Sequence, residues 1–136
     1  MGQYIIRFDG GSRGNPGISG CGYVIYKPDG SFHLNGSYFV GKKETNNVAE
    51  YTGLLRALEI ISLDESITEL AIEGDSLLVI NQVSNCWKIK AQNLLPLYQR
   101  VKCLLEKYKY TISHIPRGQN KEADYLANLA MDSFSQ

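Results

Sequence analysis

The chain has 136 residues, the length of one domain with one hydrophobic core, and its 14 basic and 14 acidic residues cancel to a formal net charge of zero. That balance excludes a polycation that coats nucleic acid over its whole surface, and no apolar run approaches the roughly 20 residues of a membrane-spanning helix. Cys21, Cys86 and Cys103 are widely spaced and form no metal-type pair, so reduced thiols in a cytoplasmic setting are expected.

In chain order, residues 4–8 (YIIRF) read as a buried strand ending at Asp9. The glycine-rich stretch GGSRGNPGISG that follows reads as a loop. Residues 21–26 (CGYVIY) make a second strand, Pro28-Asp29-Gly30 a turn, and alternation over residues 32–40 the partner of a hairpin. Asn46 or Asn47 is placed to cap a helix in which Val48, Tyr51, Leu54, Leu55, Leu58 and Ile61 recur at helical spacing. Residues 69–73 (ELAIE) form a short strand, and Asp75 caps a helix that runs to about Ser84. A further helix starts at Asn93 and runs to about Tyr108, and residues 110–115 form the last strand. Asn120 caps a final helix that turns Ala123, Leu126, Ala127 and Ala130 inward. The order β-β-β-α-β-α-α-β-α predicts an α/β fold: a mixed five-stranded sheet, three antiparallel leading strands and then two parallel ones, with helices on both faces. With no repeat, linker or low-complexity tract, residues 1–136 are expected to be a single domain and a complete, monomeric protein without a secretory leader.

Charge is unevenly placed. Glu59, Asp64, Glu65, Glu69, Glu73 and Asp75 follow one another with no intervening Lys or Arg. Then Lys88, Lys90, Arg100, Lys102, Lys107, Lys109, Arg117 and Lys121 are opposed only by Glu106. Such a strip is either a solvated helix face or a local phosphate-contacting surface on a neutral protein.

Asp9, Glu50, Asp75 and Asp124 are each ordinary alone: a turn residue, the acidic half of a capping box, an N-cap, and a carboxylate that offsets a helix dipole. Together they converge, because open α/β sheets collect ligands at the carboxyl ends of their strands. Converging carboxylates repel unless neutralised, and the segments offer oxygen ligands alone, which favours hard divalent ions, Mg²⁺ first and Mn²⁺ second. Two such ions about 3.5–4 Å apart suit in-line displacement at phosphorus without a protein nucleophile.

The segments FDGGSRGNPG (8–17), TNNVAEYTGLLRAL (45–58), EGDSLLVINQV (73–83) and HIPRGQNKEADYLANLA (114–130) resemble, in this order, the motifs of type 1 ribonuclease H, particularly its compact bacterial and archaeal members. The resemblance implies an endonuclease that cleaves the RNA strand of an RNA–DNA hybrid with two metal ions, leaving 5′-phosphate and 3′-hydroxyl ends. It implies Asp9 as the ligand shared by both ions, Glu50 and Asp75 on one, with Glu50 near the RNA 2′-hydroxyl, and Asp124 on the other. It also implies hybrid contacts by Gly10, Gly11, Asn15, Asn46 and Asn47, and a DNA-phosphate pocket of Thr45 and Asn93; amides can donate to and accept from a 2′-hydroxyl. Departures are plain. Leu77 stands where the family often has Gln, and the basic extension of longer members is reduced to NCWKIKAQN (85–93), where Trp87, Lys88 and Lys90 can supply stacking and charge, or Trp87 can instead cover the helix pair. His114 fits the family's loop histidine by count but the last strand by phase, which leaves Arg117 for the loop position. Competing readings are another nuclease of this fold, resolvase-like, and a hybrid-binding module without catalysis.

Overall fold

The computed structural model describes residues 2–135. Met1 and Gln136 lie outside the described residues. β1 (Tyr4–Arg13), β2 (Gly17–Tyr26) and β3 (Phe32–Glu44) lead; α1 (Asn46–Ile61), β4 (Glu69–Gly74), α2 (Leu77–Val83), α3 (Leu95–Leu105), β5 (Lys109–His114), a 3-10 turn (Arg117–Gln119) and α4 (Lys121–Ser135) follow. The sheet runs β3-β2-β1-β4-β5. β1, β2 and β3 pair antiparallel, while β4 lies parallel to β1 and β5 parallel to β4. This is the mixed five-stranded sheet that the element order predicts.

Strand alternation sends Ile6 and Phe8 into the core, where Tyr51, Leu54 and Leu58 of α1 and Leu70 and Ile72 of β4 join them. α4 covers the other face. The neighbours Gly10 and Gly11 demonstrate this arrangement: a Cβ on the first would run into the α1 backbone at Ala49, and one on the second would meet Met131 of α4.

The glycine-rich segment is strand, not loop. β1 continues past Asp9 in register with β2, pairing Asp9 with Gly22 and Arg13 with Ile18, and only residues 14–16 turn the chain. Glycine is required here mainly by close approach. A Cβ on Gly22 would lie 2.7 Å from the Ala123 carbonyl oxygen of α4, so the missing side chain lets helix backbone rest directly on strand backbone. Asp9 therefore sits within its strand, one residue beyond the Phe8–Gly74 pair that ends the β1–β4 ladder.

The predicted helix starts also shift. Thr45, not Asn46 or Asn47, caps α1, its Oγ1 accepting from the Val48 N–H at 3.2 Å. Ser76, not Asp75, caps α2 in the same way. In both cases a hydroxyl one position from the expected residue takes the role. Asn93 starts no helix, because Pro96 sets the first turn of α3, which ends at Leu105 rather than Tyr108. Asn120 does hold the expected N-cap position of α4, its carbonyl accepting from the Asp124 N–H at 3.1 Å while its side chain bonds elsewhere. β2 begins at Gly17 rather than Cys21, β3 extends to Glu44, and β5 covers Lys109–His114.

Gly22→Ala should push α4 off the sheet and lower stability by about 1–3 kcal/mol, a fall in Tm of roughly 3–10 °C. Gly118→Ala, where nothing lies within 4 Å of the added carbon, should leave the thermal melt almost unchanged.

Candidate active site

The bland readings of two acids fail on position. With Thr45 as the cap, Glu50 lies beyond the first turn of α1 and cannot complete a capping box. With Ser76 as the cap, Asp75 lies outside α2. Asp124 is in the first turn of α4, as expected. The fold brings one carboxylate oxygen each from Asp9, Glu50 and Asp75 within 4.8 Å of one another, a set that can hold a metal ion. Asp124 joins from the α4 side, lining the same cleft as Asp9 and Glu50. Asp9, Glu50 and Asp124 line one cleft of about 320 Å³, with Asn46, Asn47 and Arg117 around it.

Asp9 is only 6% exposed. Burial first, then the Asp75 charge and the Asp124 hydrogen bond, push its pKa from 3.8 up to about 7. Burial, with the charges of Asp9 and Asp75 added, raises Glu50 well above the ordinary carboxylate range. Among the described residues no ion pair reaches any of the four acids; the acidic partners of Arg7, Arg13, Arg56 and Arg100 are Glu73, Asp132 and Glu59. Glu50 Oε1 is buried with no hydrogen-bond partner. An orphaned buried oxygen among like charges, with ligand atoms that are all oxygen, fits a hard divalent cation.

The other expected residues divide. Gly10, Gly11, Asn46, Asn47 and Arg117 line the acidic cleft. Asn15 faces the opening of α1, its Oδ1 accepting from the Asn46 N–H at 3.0 Å. Thr45 is committed as a cap, and Asn93 is exposed in the turn before α3. His114 stays on β5, paired with Gly74, and its Nε2 lies 3.2 Å from the Asp75 carbonyl oxygen. It does not line the acidic cleft, whereas Arg117 does. Trp87, Lys88 and Lys90 line a separate groove of about 540 Å³, floored by Leu78, Gln82 and Leu94. Asn47 borders both the cleft and the groove. The basic strip is thus divided: Lys88 and Lys90 face the groove, while Arg100 pairs with Glu59 and Lys102 donates to the Val83 carbonyl.

Sequence reasoning missed Asn128 and the wider use of Asn120. Asn128 lines the cleft and donates to the Asp124 carbonyl at 3.0 Å; its spacing of four from Asp124 was the available signal. Asn120 is 1% exposed and donates from Nδ2 to the Phe8 carbonyl at 2.9 Å and toward Asp75 Oδ2 at 3.4 Å.

A carboxylate cluster at the carboxyl edge of a mixed α/β sheet, beside a cationic and aromatic groove, defines a metal-dependent enzyme of nucleic-acid chemistry as a class. Comparison narrows it. The reverse transcriptase-like family model matches residues 7–130. A ribonuclease H of Ruthia magnifica is 36% identical over 149 aligned positions, covering 99% of each chain. The bifunctional protein Rv2228c of Mycobacterium tuberculosis is 42% identical over 135 residues, 98% of this chain but 37% of that protein, so the chain spans little more than a third of that relative. The crystal structure of LC11-RNase H1 in complex with an RNA/DNA hybrid superposes with a TM-score of 0.92 at 34% identity, covering 98% of this chain and 100% of that one. The chain belongs to the reverse transcriptase-like family and, within it, to the type 1 ribonucleases H.

The raised Asp9 pKa has a definite sign. Below about pH 4 its carboxyl is protonated folded or unfolded, and no penalty exists; as pH rises toward about 7 the unfolded chain releases a proton that the fold retains, so stability falls. Metal-free Asp9→Asn should therefore melt above the wild type at about pH 8 and level with it near pH 4. Excess Mg²⁺ should raise the wild-type Tm at about pH 8 and progressively less as the pH falls below about 7, because the cation competes with protons.

Proposed function

We propose that this protein is an endonuclease that hydrolyses the RNA strand of an RNA–DNA hybrid, leaving 5′-phosphate and 3′-hydroxyl ends. The observation that carries the reading is Asn47, which lines both a cleft of crowded carboxylates and a groove lined by Trp87, Lys88 and Lys90. Asp9, Glu50, Asp75 and Asp124 would hold two Mg²⁺ ions, with Mn²⁺ as a substitute. When bound, these ions supply an activated water and stabilise the leaving oxygen at phosphorus.

The residues of the chain do the rest. Burial and mutual repulsion make Asp9 and Glu50 harder to ionise, and an opposing positive charge offsets this, so ion loading favours carboxylate ionisation. Asn46 and Asn47 present amides beside Glu50, where they can read a ribose hydroxyl and a base edge in the minor groove. Arg117 sets a permanent cation at the rim, suited to a phosphate oxygen. Trp87 is 49% exposed, open to stacking, and Lys88 and Lys90 flank it for contact with the paired DNA strand. A cytoplasmic setting suits the reduced thiols, and a monomer suits the single cleft.

The test is metal-dependent digestion of matched RNA–DNA, RNA–RNA and DNA–DNA duplexes. The hybrid alone should be cut, chelator should abolish cutting, and Asp75→Asn should lose more than the roughly 10–100-fold that follows loss of an outer metal partner. Equal cutting of DNA–DNA would point to the resolvase-like reading; hybrid binding without cleavage would point to the non-catalytic one. Trp87→Ala should raise KM for the hybrid by about fivefold or more with kcat nearly unchanged, as expected for loss of one stacking contact.

A further inference from the structure

Arg7 has no part in the acidic cleft, yet it is the most heavily tied cation described in the fold. It stands on β1 in register with Glu73 of β4, and its Nε donates to Glu73 Oε1 at 2.8 Å. Its Nη1 reaches out of the sheet and donates to the Gln119 carbonyl oxygen at 3.0 Å. The guanidinium also lies 5.8 Å from the centroid of the Tyr26 ring, and the Tyr26 hydroxyl donates to Glu122 Oε2 at 2.9 Å. One planar cation thus binds two strands directly to the turn before α4, and through Tyr26 to the first turn of that helix.

The tied segment carries two cleft residues. Arg117 lies two positions before Gln119, and Asp124 two positions after Glu122. Asn120 fastens the same turn from inside, through its bond to the Phe8 carbonyl. Between Pro116 and Gln119 the turn contributes no buried side chain of its own. Its position therefore depends on these polar ties rather than on packing.

We propose that Arg7 is a positioning residue for the reaction: by bracketing residues 116–122 to the sheet edge, it fixes Arg117 and Asp124 relative to Asp9. This inference rests on the hydrolase reading above. Arginine suits the task because its donors point in fixed, different directions while its face stays free for an aromatic ring. A lysine ammonium cannot satisfy Glu73, Gln119 and Tyr26 together.

The experiment combines hydrogen exchange with kinetics on Arg7→Met and Arg7→Lys. In metal-free Arg7→Met, amides of residues 117–124 should exchange about tenfold faster or more, while those of the β1–β4 ladder stay as in the wild type. On the hybrid, kcat should fall about tenfold with KM within about twofold, and Arg7→Lys should recover only part of the loss. In an Arg117→Ala background, Arg7→Met should cost less than it does alone, because the part of its effect carried by Arg117 is gone while the part carried by Asp124 remains. Unchanged exchange over residues 117–124, or fully additive losses in the double variant, would overturn the proposal. Should Arg7→Met not fold, Tyr26→Phe cuts only the outer tie and should speed exchange in the same segment by a smaller factor; no change there is equally fatal. A wild type that fails to cut the hybrid would overturn the hydrolase reading, while the exchange arm would still decide the bracket.

Discussion

Carboxylate oxygens held within 4.8 Å of one another are the constraint on which this structure turns. At that separation two unit charges repel by roughly 3 kcal/mol even at an effective dielectric constant near 20. Asp9 and Glu50 feel that repulsion and burial together, and without a cation they hold their protons far above the usual range. The fold must therefore supply enough cohesion elsewhere to keep these acids in place. That cohesion comes from the apolar layer between α1 and the sheet, where Ile6, Phe8, Tyr51, Leu54, Leu58, Leu70 and Ile72 are fully buried.

The route from that layer to the site runs through absent side chains. α1 presses on the sheet at Gly10 and α4 at Gly22, each so closely that a methyl group would meet helix backbone. Because Gly10 follows Asp9 and Gly22 pairs with it, both helices reach the sheet at the acid itself. Glu50 arrives on one and Asp124 on the other. The same glycines that make the sequence look flexible are what let Asp9, Glu50 and Asp124 line one cleft.

How much of this the sequence discloses depends on which force decides each feature. Element order and helix faces follow from hydrophobic periodicity, and the predicted mixed sheet is the one found, while its strand order comes from the fold. The four acids were legible because each stands beside a strand end or helix start that the residue pattern predicts, although only Asp124 lies in the first turn of its helix in the fold. The glycine segment misled, because composition alone cannot separate glycine chosen for a turn from glycine chosen for contact; only the partner helix distinguishes them. Cap positions slipped by one residue where a hydroxyl stood beside the expected Asn or Asp, as at Thr45 and Ser76. Arg7 gave no signal at all. Its partners Glu73 and Gln119 lie 66 and 112 positions away, and no local pattern encodes contacts of that span.

Cleft and groove are joined by more than the Asn47 they share. Tyr51 follows Glu50 on α1 and is fully buried; its hydroxyl donates to Gln82 Oε1 at 2.6 Å. Gln82, itself 4% exposed, forms part of the groove floor, and its amide nitrogen lies 3.5 Å from the Lys88 carbonyl oxygen. Leaving either buried partner alone would cost about 1–3 kcal/mol, so the helix bearing Glu50 and the floor beneath Trp87 cannot shift independently at low cost. On the proposed hydrolase reading, a strand held in the groove would fix which phosphate of the other strand reaches the acids. The position of the cut would then be set by the distance between two protein surfaces rather than by the base sequence, a kind of recognition that a neutral protein with a localised cationic groove can supply.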